Sequence, residues 1–210
     1  MRAAALERAG AIQSADQRPP VILVFGDSIS AGYGIRVEQG WVRLLAHRIA
    51  QLGYGFEVVN ASVSGETTAG GLARLPHALE LQQPRIVILE LGGNDGLRGL
   101  PLAGARDNLQ QMIALARSQG AAVLLLGMRL PPNYGERYTD GFQMMYTELA
   151  ERDRIPLVPF LLEKVALNPA LMQADGIHPT EQGQPLLLDS VWPKLEPLLH
   201  EAAEHRAGQH

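Results

Sequence analysis

A serine and a histidine far apart in the chain carry its clearest chemical signal. Ser28 directly follows the apolar run 21–25 and a Gly-Asp pair, and His178 lies in the segment 175–179, DGIHP. A serine hydroxyl is a weak nucleophile until a base removes its proton, and histidine can act as that base. Asp175 can occupy the same turn as His178 and bond the second ring nitrogen, which fixes the tautomer. These residue types predict acyl transfer through a covalent serine intermediate.

Each of these residues also has a simpler structural explanation. Ser28 could do no more than cap a following helix, because serine is favoured at that position. Asp175 could form an ordinary Asx turn before a glycine. The other histidines are weaker candidates for a base, since two lie in amphipathic helix patterns and three in a polar C-terminal segment: His47, His77, His200, His205 and His210.

Three polar loops that contain glycine follow three predicted strands, and their sequences are GDS at 26–28, SGE at 64–66 and GGND at 92–95. Carboxyl ends of parallel strands meet at one edge of a sheet, where ligands bind in open α/β folds. We therefore expect Ser28, Gly65 and Asn94 to converge. The backbone N–H groups of Ser28 and Gly65, with the Asn94 amide, would supply three donors for an oxyanion.

The elements that must position these residues alternate between strand and helix. Buried apolar runs predict strands at 21–25, 56–61, 85–91, 121–128 and 156–160, and apolar residues at helical spacing predict helices near 41–52, 72–81, 102–118, 138–152 and 181–203. Three prolines are expected to shorten or bend the last helix: Pro185, Pro193 and Pro197. The fold class is a three-layer α/β/α sandwich with a five-stranded parallel sheet, in the flavodoxin-like strand order 2-1-3-4-5.

Composition limits the alternatives. The apolar fraction of 46% supports one sizeable core, and the net charge of −4 provides no basic surface for nucleic acid. Cysteine is absent, which excludes thiol nucleophiles and disulfides. We expect a flexible extension at 1–18, a single domain at 19–203 and a C-terminal tail at 204–210. No transmembrane segment is expected, since no run approaches the roughly 18 apolar residues that a span requires.

Four segments together resemble the SGNH (GDSL-type) hydrolases: GDSISAGY from Gly26, the Gly65 loop, GGNDGLRG from Gly92, and DGIHP from Asp175. Two further segments, NASVSGETT from Asn60 and MRLPPNYG from Met128, are most similar to the bacterial acyl-CoA thioesterase I/protease I/lysophospholipase group of that family. The resemblance implies Ser28 as nucleophile, Gly65 and Asn94 as oxyanion donors, and Asp175 with His178 as the base. Glu66 and Ile29 depart from the usual Asp and Leu, and neither change removes a catalytic atom.

The expected function is hydrolysis of carboxylic esters and thioesters, such as aryl esters, acyl-CoA and lysophospholipids, without metal or cofactor. Six loop residues are the candidate substrate contacts: Leu97, Leu130, Pro131, Tyr134, Ile177 and Pro179. The segment 131–135 is expected to be a loop that closes on substrate. One alternative is a carbohydrate O-deacetylase or short-chain arylesterase with the same catalytic set. The other is a non-catalytic flavodoxin-like module that binds an anion, although no Gly-x-x-x-x-Gly-Lys motif follows a strand.

Partner and compartment are open at the sequence level. We expect a small acyl ester or thioester as the only partner, and a monomer or weak dimer. The family resemblance favours the periplasm if a signal peptide has been removed. The first twenty residues lack the apolar stretch of such a signal, which favours the cytoplasm if the chain is complete.

Overall fold

The computed structural model describes residues 18–207. Its centre is a parallel sheet in the order β2-β1-β3-β4-β5, which confirms the predicted fold class. The strands are β1 (Val21–Gly26), β2 (Glu57–Asn60), β3 (Ile86–Glu90), β4 (Ala122–Leu126) and β5 (Leu157–Val158). The chain leaves β1 toward β2 and then returns to place β3 on the other side of β1. The connections that leave the carboxyl ends of β1 and β3 therefore run in opposite directions, the arrangement that opens a ligand-binding crevice in such sheets.

Seven α-helices flank the sheet within residues 18–207. They are α1 (Ser28–Ala31), α2 (Trp41–Gln51), α3 (Thr68–Gln82), α4 (Gly93–Leu97), α5 (Leu102–Ser118), α6 (Glu136–Asp153) and α7 (Gln184–Ala207). The long helices form two packed groups, with α2 on α7 in one group and α3, α5 and α6 in the other. Thr67 caps α3, because its side chain accepts a hydrogen bond from the Gly70 amide.

The core lies between these helices and the sheet. Every residue of β3 is buried, as expected for a strand covered on both faces. Trp41, Phe25 and Phe142 are among the largest side chains with no appreciable exposure. Burial of an aromatic or aliphatic side chain of this size stabilises the fold by about 1.5–3 kcal/mol. The core thus fixes the directions of β1 and β3, which carry the site.

Several predicted boundaries differ from the structure. The fifth strand has only two residues, and a 3₁₀ turn at Pro132–Tyr134 interrupts the loop predicted at 131–135. The last helix begins at Gln184 and continues through Pro193 and Pro197 to Ala207, so the prolines do not shorten it. Residues 204–207 are therefore helical and do not start a tail. The rest of the predicted tail, 208–210, and the extension up to residue 17 lie outside the described residues.

Candidate active site

Ser28 lies at the point where β1 turns into α1. Asp27, not Ser28, caps this helix, because its Oδ1 accepts the Ile29 N–H at 3.0 Å. The simpler explanation of Ser28 as a cap is therefore wrong. Ser28 is instead the first helical residue, and its own N–H has no acceptor among residues 18–207.

The structure brings the three predicted catalytic side chains into one continuous chain of hydrogen-bond contacts. His178 Nε2 lies 2.8 Å from Ser28 Oγ, and His178 Nδ1 lies 2.7 Å from Asp175 Oδ2. The second oxygen of Asp175 accepts the N–H groups of Ile177 and His178 at 2.9 and 3.0 Å. Asp175 thus forms the Asx turn of the simpler explanation and also holds the imidazole. With the proton on Nδ1, the free lone pair of Nε2 faces the serine hydroxyl.

Electrostatics around Asp175 favour its charged form. Partial burial alone would raise the pKa of this carboxyl, but hydrogen bonds from the His178 ring and from two backbone amides lower it to about 2. The carboxylate is therefore ionised throughout the range in which histidine titrates. Such a group stabilises an imidazolium that forms when Nε2 takes up a proton.

The three predicted oxyanion donors also lie at this edge. Gly65 adopts φ +79°, a left-handed conformation that glycine tolerates without a Cβ penalty, and its N–H has no acceptor in the described part of the chain. Its loop is held by a bond from Val63 N to Gly26 O at 3.0 Å and by one from Arg98 Nη2 to Gly65 O at 3.0 Å. Asn94 donates one amide hydrogen to Asp27 Oδ2 at 3.0 Å, so its second amide hydrogen stays available.

Two acidic side chains that the sequence analysis did not assign to the site lie next to Ser28. Asp27 precedes it in the chain, and Glu90 is the last residue of the neighbouring strand β3. Asp27 is 2% exposed and Glu90 is fully buried. Burial raises the pKa of Asp27 to about 6, although hydrogen bonds, first that from the Ile29 N–H, and the electrostatic interaction with His178 counteract it. Burial and the neighbouring Asp27 raise the pKa of Glu90 well above its usual range. One sequence signal existed: Glu90 is the only charged residue between Ile86 and Leu91, inside an otherwise apolar run.

Gln173 ties the loop that carries His178 to the loop after α1. Its side-chain amide donates to Tyr33 O at 2.8 Å and to Pro179 O at 3.0 Å, and its backbone N–H donates to His178 O at 2.7 Å. The Tyr33 ring lies against the His178 ring, with centroids 4.6 Å apart. No spacing or residue type in the sequence pointed to Gln173, because its partners are mostly backbone carbonyl groups.

The candidate substrate contacts separate into two groups. Pro179 is buried and its carbonyl accepts from Gln173 and Gln184, while Leu130 packs against the core beside Gly96. These two residues hold loops in place, and their role as substrate contacts stays a prediction. Ile177 is 39% exposed, Pro131 is exposed and Leu97 is half-buried.

Tyr134 lines a cavity of about 440 Å³, together with Leu102, Gly135, Glu136, Arg137 and Tyr138. This volume lies within the usual range of ligand pockets. The Tyr134 hydroxyl donates to Leu97 O at 2.8 Å and the Tyr138 hydroxyl to Leu100 O at 2.7 Å. The cavity therefore adjoins the segment that follows Asn94. Within residues 18–207, no cluster of three His, Asp or Glu side chains is placed to hold a metal ion.

Comparison with known proteins identifies the family. The model of the GDSL-like lipase/acylhydrolase family matches residues 24–186. Esterase TesA of Pseudomonas aeruginosa is 55% identical over 178 residues, which cover 85% of this chain and 89% of that protein. Thioesterase 1/protease 1/lysophospholipase L1 of Escherichia coli is 44% identical over 179 residues, 85% of each chain. A crystal structure of TesA superposes with a TM-score of 0.83 at 54% identity, covering 85% of this chain and 99% of that one. The chain therefore belongs to the GDSL-like lipase/acylhydrolase family, and it is an ester-hydrolysing enzyme.

Proposed function

We propose that Ser28 is the nucleophile of this enzyme, His178 its general base and Asp175 the residue that orients the base. The observation that carries this proposal is the continuous chain of contacts from Ser28 Oγ to His178 Nε2 at 2.8 Å and from His178 Nδ1 to Asp175 Oδ2 at 2.7 Å. A nucleophile hydrogen-bonded to a base that is itself held by a carboxylate is the general signature of nucleophilic acyl transfer.

The reaction follows from these contacts in two halves. Ser28 Oγ attacks the carbonyl carbon while its proton moves to His178 Nε2, and the negative charge on the carbonyl oxygen is received by the N–H groups of Ser28 and Gly65 and by the Asn94 amide. His178 then protonates the leaving alcohol or thiol, and the C–O or C–S bond breaks to leave an ester on Ser28. Water, deprotonated by His178, hydrolyses that ester and restores the hydroxyl. Loss of one oxyanion donor typically lowers kcat by about 10²–10³.

The substrate class we propose is a carboxylic ester or thioester with an apolar acyl group. Two similar proteins are described as an esterase and as a thioesterase and lysophospholipase. The cavity beside Tyr134 lies near the segment after Asn94 and offers an aromatic and aliphatic lining from Tyr134, Tyr138 and Leu102. Each methylene buried there would contribute about 0.8 kcal/mol, so kcat/KM should rise with acyl length until the cavity is full.

The test is a panel of p-nitrophenyl esters from acetate to dodecanoate, acyl-CoA thioesters and a lysophospholipid. Wild type is compared with Ser28→Ala and with Ser118→Ala, a control at an exposed serine on α5. We expect Ser28→Ala to lose hydrolysis of every substrate and Ser118→Ala to retain it. Unchanged turnover by folded Ser28→Ala would remove Ser28 from the mechanism.

The same panel separates the acyl hydrolase from a deacetylase. If acetate is cleaved faster than octanoate, and acetylated sugars faster than acyl-CoA, the short-chain alternative is correct. We expect the opposite order, and we expect Tyr134→Ala to lower kcat/KM for octanoate more than for acetate. An equal effect on both esters would exclude the cavity as the acyl site.

Compartment and assembly belong to the same proposal. Among the described residues no helix combines the length and apolarity needed to cross a bilayer. We propose the periplasm as the compartment, on the family resemblance, and a monomer or weak dimer as the assembled state. Cell fractionation with an antibody against this chain, and sedimentation velocity at micromolar concentration, test the two statements.

A further inference from the structure

Glu90 accepts one hydrogen bond from the residue before the proposed nucleophile and one from the residue two positions after it. Its Oε2 accepts the Asp27 N–H at 3.2 Å and the Ser30 hydroxyl at 2.7 Å, and these residues are the immediate neighbours of Ser28 and Ile29. Asp27 in turn bonds the Asn94 amide. One fully buried carboxyl group is therefore connected to the turn that carries the nucleophile and, through one further residue, to an oxyanion donor.

Gly26 has no side chain, and this leaves space for the carboxyl group of Glu90. Gly26 pairs with Glu90 in the register of β1 and β3, and a Cβ atom on residue 26 would lie 2.6 Å from Glu90 Oε2. No heavier residue fits there without displacing the carboxyl group. The glycine before Asp27 is thus explained by the close approach of Glu90 and not by a special backbone angle.

Core packing alone does not account for Glu90. The other residues of β3 are aliphatic, and an apolar side chain at position 90 would avoid the cost of burying a carboxyl group. Glu90 Oε1 meets no donor in the described part of the chain. Both hydrogen bonds of this carboxyl group therefore pass through Oε2, which holds the turn at Ser28 and not the core.

We propose that Glu90 is a positioning residue for the hydrolysis reaction, which fastens the 27–30 turn to β3 and so aims the Ser28 hydroxyl. Through Asp27 it also fixes the direction of the Asn94 amide. The inference rests on the proposed roles of Ser28 and Asn94. Glu90 does not touch the substrate, and its effect reaches the reaction through its neighbours.

The experiment compares Glu90→Gln, Glu90→Met and Ser28→Ala with wild type, using kcat and KM for p-nitrophenyl butyrate together with Tm. Glutamine keeps an acceptor oxygen for the 27–30 turn and does not titrate. Methionine fills the space without that acceptor. Ile86→Met is the matched control, because Ile86 is fully buried on the same face of β3 at its other end.

We expect Glu90→Met to lower kcat about 10- to 100-fold, the effect of misplacing a reacting group by about 1 Å, with KM changed less than about 3-fold. Its Tm should equal or exceed that of wild type, whereas Glu90→Gln should keep both kcat and Tm. Ile86→Met should change Tm without changing kcat.

Two results would overturn the proposal. One is a folded Glu90→Met protein with wild-type kcat; the other is equal loss of kcat and Tm in both Glu90 variants, which indicates a purely structural role. If Glu90→Met does not fold, Ser30→Ala provides the test, because it removes one of the two hydrogen bonds to Glu90. We expect Ser30→Ala to lower kcat with KM unchanged. A Ser30→Ala protein with wild-type kcat would also overturn the proposal. Failure of the catalytic assignment itself is distinguishable, because Ser28→Ala would then retain activity.

Discussion

Replacing Asp27 with asparagine should flatten the dependence of stability on pH. Burial raises the pKa of Asp27 from 3.8 to about 6 in the folded protein. Between these two pH values the folded state binds more protons at Asp27 than the unfolded state. The contribution of Asp27 to the free energy of unfolding is therefore fully present below about pH 3.8 and is lost as the pH rises to about 6. Asparagine does not titrate, and the part of the slope due to Asp27 disappears with it.

The size of this effect follows from the shift. A difference of one pKa unit corresponds to 1.36 kcal/mol, so ionisation of Asp27 should lower the free energy of unfolding by about 2–3 kcal/mol. Asparagine has a cost of its own, because it offers a single acceptor oxygen where the carboxylate accepts both the Ile29 N–H and the Asn94 amide. An unpaired buried donor costs about 1–3 kcal/mol. At pH 7 the two effects nearly cancel, and the variant is distinguished by its slope.

Other carboxyl groups contribute differently to the same curve. Glu90, whose pKa is also raised by burial, adds a fall in stability that is smaller in the variant, because the charge of Asp27 no longer helps to raise that pKa. Asp175 has the opposite sign: its pKa is lowered to about 2, so its contribution is fully present above 3.8 and is lost only as the pH falls toward 2. The difference between wild type and Asp27→Asn above about pH 4 therefore reports the titration of Asp27 together with its effect on Glu90.

The assay is urea unfolding followed by far-UV circular dichroism at a series of pH values from about 4 to 7, the range that brackets the shift. Asp140→Asn, at an exposed position on α6, serves as the control and should follow the wild-type curve. If Asp27→Asn and wild type lose stability in parallel across this range, burial of Asp27 is not the source of the slope. The same variant should lower kcat, because the Asn94 amide loses its fixed acceptor.

Further substitutions test the contacts around the imidazole and the oxyanion. His178→Ala should reduce kcat more than Asp175→Asn, because histidine moves the proton and aspartate orients it; pre-steady-state kinetics with p-nitrophenyl acetate would show the reverse order if these roles are wrong. Gln173→Ala should lower kcat about 10-fold with little change in KM, because the two loops that meet at His178 lose their shared donor. Gly65→Ala should lower kcat about 10- to 100-fold, since the left-handed backbone disfavours a Cβ and tilts the N–H; rates like wild type would remove that donor.

The architecture and the meeting of the candidate catalytic side chains could be predicted because both depend on local signals. Apolar runs predicted the five strands, and a parallel sheet brings all of their carboxyl ends to one edge. Ser28, Asn94 and the Gly65 loop each follow such a run directly. The Asp175–His178 contact required only a short turn within one segment.

The remaining features depend on contacts between positions with no common sequence pattern. Gln173 acts through carbonyl groups of distant loops, and carbonyl groups look the same at every residue. Leu130 and Pro179 lie in predicted loops, and no local pattern shows that Leu130 packs against the core or that Pro179 is buried. The last helix continues past Pro193 and Pro197 because it packs along α2, and this tertiary contact outweighs the low helix propensity of proline.

Stability and catalysis make opposite demands on the turn at Ser28. An apolar residue at position 90 would remove a fully buried carboxyl group, whose ionisation is opposed by burial and by the neighbouring Asp27. The turn would then lose the oxygen that accepts the Asp27 N–H and the Ser30 hydroxyl. Mutations selected for thermal stability alone should therefore accumulate at this position, and the resulting proteins should hydrolyse esters more slowly than wild type at every temperature at which both are folded.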